Sequence, residues 1–385
     1  MTPAVDRVVT LAGGTARARL VVDRFVRGRA FGGLRILEEE DWSDLPDCAR
    51  AMTLKHGFLG FSLGGAKAQL ALPRGASAAL RAAALRELGA ALRDVLIPGA
   101  WRPALDMGSR LEDIRLLLGG AGLGADLSSW KSRSHIYTAW SMDGATRAGL
   151  RSLGRPLRGT RFVVHGFGKV GQAYAAELVE QGATLIGVAT RAGSLVNDAG
   201  LDLTALHSAL ASRGDQFPAS FPTSFHHDPT AVLQAKASIV ALCGRTLSPE
   251  VTGCSRFRPA LVVCGANAAL SAADAHSLHE GGTLVLPDFV ANCGGVFGSF
   301  AEPYLDAPSI RLALGERLAR RIGRLLDRCA RQGTSLRELA TLEAEARLDA
   351  DDSASMPMRE RLGRRLLPFL PERMRSRALA SYCLP

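Results

Sequence analysis

Arg161-Phe162-Val163-Val164-His165-Gly166-Phe167-Gly168-Lys169-Val170-Gly171 is the stretch from which the fold can be read. Its first five residues have the pattern of a short buried strand, and the next six bring three glycines at GxGxxG spacing. Residues 172–180 then read as a helix and 184–189 as a second strand. A lone glycine triplet is a weak signal, but strand, glycine turn, helix and strand in one unit of about 30 residues form a dinucleotide fingerprint. Gly166 permits the turn, Gly168 lets a pyrophosphate approach the backbone, and Gly171 lets helix and strand pack. The helix N-terminus then holds the anion, with Phe167, Lys169 and Val170 completing the loop.

The second strand ends Val188-Ala189-Thr190-Arg191, with no carboxylate. An acid there would repel a 2′-phosphate, whereas an arginine can pair with one. Thr190 and Arg191 therefore point to NADP(H) ahead of NAD(H). Further short strands are predicted at 237–242, 260–264 and 282–286. They run into Cys243-Gly244-Arg245, Gly265-Ala266-Asn267 and Pro287-Asp288. Ligands bind at the carboxyl ends of such strands, which makes Cys243 a cofactor contact and Asn267 a cofactor or substrate contact. Residues 291–299 read as a second glycine-rich loop. From Ile310 to about Leu348 the pattern is helical, and residues 356–377 form a basic amphipathic stretch, best read as a solvated helix on the body or on a neighbouring subunit.

Ahead of the fingerprint the domain changes near Gly154-Arg155-Pro156. In this first part Met52-Thr53-Leu54-Lys55-His56-Gly57-Phe58-Leu59-Gly60-Phe61-Ser62-Leu63-Gly64-Gly65-Ala66-Lys67 holds two of only five lysines, in a chain whose Lys+Arg total is 47. Arginine stays charged at any workable pH, whereas a desolvated lysine can approach neutrality and act as a base. Asp106, in a loop punctuated by Pro and Gly, reads as a helix cap by itself and as a proton shuttle beside two lysines. Around these lie a predicted hairpin over 8–23, a glycine turn at 28–35 leading into a strand, and a helix over 38–50 delivering the chain to Lys55. Helices are also predicted over 75–95, 111–118 and from Thr138 to about Leu153.

At 385 residues the chain has room for two domains with their own cores. A hydrophobic share of 47% against 22% charged is an ordinary globular composition. No apolar run reaches the roughly 18 residues of a membrane helix, and the first residues lack a signal peptide's pattern. The seven cysteines are scattered without zinc spacing, so reduced thiols, no metal and a cytoplasmic setting are expected. The net charge of +10 is spread along the chain with few aromatics interleaved. That pattern disfavours nucleic acid or a membrane as partner and suits an anionic substrate or a phosphorylated cofactor.

Several motifs in order resemble the Glu/Leu/Phe/Val amino acid dehydrogenases. They are Gly-Arg-Ala-Phe-Gly-Gly-Leu-Arg (28–35), Met-Thr-Leu-Lys (52–55), Gly-Gly-Ala-Lys (64–67), Pro-Ala-Leu-Asp-Met-Gly (103–108), Thr-Ala (138–139), the glycine fingerprint, Gly-Ala-Asn (265–267) and Pro-Asp followed by Ala-Asn-Cys-Gly-Gly-Val (287–296). The resemblance covers about Gly28 to Leu348. It implies NAD(P)-dependent oxidative deamination of an L-amino acid to its 2-oxo acid and ammonia, or the reverse. Lys55 matches the lysine that pairs with the substrate α-carboxylate. Lys67 matches the catalytic lysine that activates water and polarises the developing carbonyl, and Asp106 the proton-relaying aspartate. Asn267 and Asn292 match positions near nicotinamide and substrate. Phe31 stands where glutamate-specific members carry a lysine for the side-chain carboxylate. An apolar or aromatic substrate is therefore expected, in a pocket that Gly32, Ala104, Thr138, Val296 and Ser299 share.

Two departures accompany the match: Arg29 in place of a proline, and Trp140-Ser141 where an aromatic and a glycine are usual. The expected fold is α/β with two domains and a cleft between them. Residues 1–150 would form the substrate and oligomerisation domain, and 151–330 a doubly wound Rossmann domain. C-terminal helices over 331–385 would pack back on the first, in a homo-oligomer. A reductase of another imine substrate and a non-catalytic cofactor-sensing relative are the alternatives.

Overall fold

The computed structural model describes residues 4–38, 40–124, 133–244 and 257–353. These fall into two compact units, 4–124 with 343–353, and 133–342. The basic stretch over 356–377 and Arg245 lie outside the described residues.

In the first unit β1 (Val5–Leu11) and β2 (Ala16–Val22) form the expected antiparallel hairpin. Then come β3 (Ala30–Leu37), α1 (Leu45–Leu59), β4 (Gly64–Ala71), α2 (Ala78–Ala91), α3 (Arg93–Leu96), β5 (Trp101–Leu105) and α4 (Leu111–Gly120). The sheet order is β1-β2-β4-β3-β5, with β3 parallel to both of its neighbours. The helix predicted over 38–50 starts later and runs through Lys55. Pro46 sits in its first turn, where a missing N–H costs nothing, and Gly60 caps it at a φ of 79°.

Strand alternation sorts the side chains of this sheet onto two faces. Ala30, Leu34, Ile36, Ala66, Ala68, Leu70 and Trp101 pack with Leu85, Leu88, Ile114 and Leu117 of α2 and α4. The other face lies under α1. Gly65 allows that close approach, since a Cβ there would stand 2.2 Å from Ala49 O and from Thr53 N. Thr53 Oγ1 accepts the Gly65 N–H at 3.0 Å and fixes helix to strand.

The second unit opens with α5 (Ser134–Ser152), then β6 (Arg161–His165), α6 (Lys169–Glu180), β7 (Thr184–Thr190), β8 (Gly193–Val196), α7 (Leu203–Arg213), β9 (Phe225–His226), β10 (Ile239–Leu242) and β11 (Leu261–Cys264). It continues with α8 (Ala272–Glu280), β12 (Leu284–Leu286), α9 (Asp288–Ala291), α10 (Gly294–Ala301), α11 (Ala307–Leu312), α12 (Leu318–Gln332) and α13 (Leu336–Ser353). The residues of α13 from 343 onward group with the first unit, where Arg50 pairs with Glu345 and Ser62 Oγ donates to Asp351 at 2.8 Å.

The sheet order is β12-β11-β10-β6-β7-β8-β9, parallel from β12 to β7 and finished by two antiparallel strands. Its parallel strands are near-continuous apolar runs, as burial on both faces requires. Where short strands alone were predicted, α8 also appears, and α7 precedes them. The glycine-rich segment over 291–299, read from sequence as a loop, is largely helical. Its glycines serve packing: a Cβ on Gly294 would meet Tyr137 O at 1.9 Å, and one on Gly298 the Tyr137 ring at 2.0 Å. No helix among the described residues is long and apolar enough to cross a membrane.

Candidate functional site

In the first unit, parallel register sets Phe31 beside Arg102 and Gly65, and Gly33 beside Ala104. Residues two apart share a face, so Phe31, Gly33 and Arg35 of β3, Lys67 of β4, and Ala104 with Asp106 from β5 converge. Lys67 Nζ forms an ion pair with Asp106 Oδ2, and Arg35 Nε reaches the same oxygen at 3.3 Å. Gly33 makes room for this carboxylate, since a Cβ there would lie 2.8 Å from Asp106 Cβ. Ser109 closes the turn that follows: its Oγ accepts the Asp106 N–H at 2.8 Å, and its hydroxyl donates to Asp106 O at 2.9 Å.

These charges are enclosed. Lys67 is 2% exposed, Arg35 and Lys55 4% each. Burial alone would raise the Asp106 pKa, but the charges of Lys67 and Arg35 outweigh it and hold the carboxyl below its ordinary range. Arg35 donates from Nη1 to both Asp44 oxygens, at 3.0 and 2.8 Å, and from Nη2 to Cys48 Sγ at 3.1 Å. Lys55 lies on α1 with His56, whose ring meets Phe31 edge-on at 5.8 Å. Burial, reinforced by the Lys55 charge, pushes His56 down to about 3, so the ring is neutral. Phe31 is half-buried. Gly32 alternates to the opposite face, where its carbonyl accepts Trp101 Nε1 at 3.3 Å.

In the second unit the fingerprint folds as its glycines require. Gly166 has a φ of 98°, and a Cβ there would lie 2.1 Å from Gly244 N. The N–H groups of Cys243 and Gly244 both donate to His165 O, at 2.7 and 2.9 Å, closing the ends of β6 and β10. This is the sheet's topological switch point. Gly171 packs with its Cα against Gly166 O, while Gly168 has nothing within 4 Å of a built Cβ. The α6 N-terminus has no side-chain cap and no acidic residue in its first turn. An open glycine and uncapped N–H groups fit a dinucleotide pyrophosphate. Lys169 and Val170 start α6 beside it. The Phe167 ring is buried against Phe217 and His207, so that residue offers the loop only its backbone. Burial pushes the Cys243 thiol up to about 12.

At the end of β7, Thr190 Oγ1 donates to Asp215 O at 2.7 Å, and Arg191 Nη2 pairs with Asp215 Oδ2 at 3.0 Å. Asp215 escaped the sequence reading because it enters from the segment after α7, with no spacing signal to link it to β7. Elsewhere Asn292 Nδ2 donates to Gly265 O at 3.1 Å and to Asn267 Oδ1 at 3.0 Å. Its own Oδ1 is buried without a hydrogen-bond partner among the described residues. Asp288 Oδ2 accepts the N–H of Ala268, whose φ is 50°, and so holds the Asn267 turn.

Thr138 donates to Ser134 O at 2.8 Å and faces Gly295, next to the buried Val296. Ser299 is exposed on the same helix and donates to Gly295 O at 2.8 Å. Ser141 binds this region together, accepting from Gly294 N at 3.0 Å and donating to Ala291 O at 2.7 Å. Trp140 donates its indole N–H to Glu177 at 2.8 Å and lies under Arg311.

Residues 133–339 match the Glutamate/Leucine/Phenylalanine/Valine dehydrogenase family, and residues 13–120 match the Glu/Leu/Phe/Val dehydrogenase dimerisation domain. The chain belongs to the Glu/Leu/Phe/Val dehydrogenase family. Among relatives of this chain, the NADP-specific glutamate dehydrogenase of Saccharolobus shibatae is 30% identical over 146 residues, 38% of this chain. That match spans 34% of the relative's length. Glutamate dehydrogenase B of Halobacterium salinarum is 27% identical over 295 residues, 72% of this chain and 67% of the relative. The hetero-hexameric glutamate dehydrogenase of Thermus thermophilus, in its Leu-bound form, shares the fold. Its TM-score is 0.77 at 24% identity, covering 91% of this chain and 89% of that one. The family's two-domain α/β architecture with a Rossmann-like parallel sheet is thus the one expected from the motifs.

Proposed function

We propose that this chain is an NAD(P)-dependent L-amino acid dehydrogenase acting on an apolar or aromatic amino acid. Overall, amino acid, water and oxidised dinucleotide give 2-oxo acid, ammonium, reduced dinucleotide and a proton. The carrying observation is the enclosed Lys67–Asp106 ion pair on one sheet face with Phe31. Lys55 holds the substrate α-carboxylate beneath α1. Asp106, ionised, takes a proton from the substrate nitrogen, and Lys67 orients water and stabilises charge on the developing carbonyl oxygen. When bound, the dinucleotide supplies the hydride acceptor. Its pyrophosphate is assigned to the loop from Gly166 to Gly171, and Cys243, Thr190 and Arg191 to its flanks. Asn267, Asn292, Thr138, Val296 and Ser299 are assigned to the substrate and nicotinamide side of the second unit.

The curated relatives are named glutamate dehydrogenases. Against glutamate here stands Phe31, with a neutral His56 ring at its edge. Two uncharged rings give a second carboxylate nothing to offset its desolvation. NADP is the preferred cofactor, supported by Arg191 and by the NADP-specific relative, and a homo-oligomer by the dimerisation-domain match.

The test follows NADPH and NADH consumption with ammonia across a panel of 2-oxo acids, on the native chain and Lys67→Ala. Aromatic and branched 2-oxo acids should outrun 2-oxoglutarate, and the variant should lose roughly 10²-fold or more, the scale of positioned acid–base catalysis. Undiminished turnover in the variant would sink the mechanism. Preference for 2-oxoglutarate would overturn the substrate class. Tight cofactor binding with no turnover would favour a sensing relative.

A further inference from the structure

Arg35 has no part in the reading above, yet it is a buried cation that touches the same carboxylate oxygen as Lys67. We propose that Arg35 is a positioning residue for Asp106, its guanidinium holding that carboxylate fixed and ionised independently of Lys67. The inference rests on the assignment of proton transfer to Asp106 beside Lys67.

Two cations share one Asp106 oxygen, and an ion pair that loses its only cation leaves a buried carboxylate uncompensated. Such a carboxylate keeps the next proton it receives. Arg35 does not deprotonate at working pH, so one cation remains throughout. The groups facing Asp106 are Lys67 from β4 and Arg35 from β3, with Asp44 at the head of α1 and Cys48 within it behind Arg35. Burial acts against the Arg35 charge, but the carboxylates of Asp106 and Asp44 outweigh it and raise its pKa further. The Cys48 thiol is pushed up to about 11 by burial and stays neutral. With Nη1 on both Asp44 oxygens and Nη2 on Cys48 Sγ, two corners of the guanidinium plane are held while Nε points at Asp106.

The pH dependence of kcat/KM for deamination separates this role from a merely structural one. Loss of the charge raises the Asp106 pKa, so the acidic limb moves to higher pH. Arg35→Gln should move it up by roughly one to three units, the range for losing an adjacent opposite charge. Arg35→Lys should bring it back most of the way. A limb left in place in Arg35→Gln while the rate falls would overturn the proposal. A second measurement needs neither turnover nor an Arg35 variant: the carbon-13 carboxyl signal of Asp106 is titrated in Lys67→Ala. The carboxylate should remain ionised at pH 6 there, held by Arg35 alone; a midpoint above pH 6 would overturn the proposal. Absence of turnover in the native chain would count against the functional reading and leave this titration readable.

Discussion

Burial opposes protonation of His56, fully inside the first unit, and of His165 at the end of β6. Burial pushes them to about 3 and about 4, from an ordinary 6.5. With folded pKa values depressed, the unfolded chain binds the proton first as pH falls below 6.5. Stability is therefore full above that pH and declines until the folded values are reached, by about 1.4 kcal/mol per pH unit per group. The urea midpoint should fall between pH 7 and pH 5, and His56→Leu should flatten that fall. A variant slope equal to the native one would remove His56 from this account. At this scale the sequence made Lys55 and Lys67 visible because lysine is rare here, and Asp106 because it stands alone in its loop. Arg35 closes the motif at 28–35 but had no role legible there, because arginine is everywhere in the chain. Nor were Asp44 and Asp215, whose roles arise from packing between distant segments.

Among the elements, β6, α6 and β7 were legible because glycine order, apolar runs and helical periodicity agreed within one short unit. The segment at 291–299 was not. Glycine composition does not separate a flexible loop from a helix that must lie against Tyr137, and only the neighbouring α5 decides between them. The end of β7 holds a testable balance. Asp215 pairs with Arg191 there, and its charge opposes a 2′-phosphate at the same guanidinium. Arg191→Asp should weaken NADPH relative to NADH, whereas Asp215→Asn should strengthen it; competitive binding of the two cofactors measures both. An unchanged ratio in Arg191→Asp would remove the physical basis for preferring NADP.

For the molecule as a whole, the two-unit organisation followed from motif order, since each set of motifs demands its own sheet. The starts of α1 and α5 depended on local caps and packing that motif order does not encode. Light scattering across a micromolar concentration range should give a multiple of the 40.8 kDa chain mass; a value of one chain throughout would overturn the homo-oligomer. Lys67, Asp106, Arg35 and Phe31 meet only because the strand registers set the odd positions of β3 and β4 on one face with the even positions of β5. Gain or loss of a single codon inside one of these strands would turn one partner to the far side and dismantle the group, even where every remaining amino acid is unchanged. Evolution along this lineage is thereby channelled: point substitutions can retune the pocket at Phe31, whereas length changes are confined to the loops.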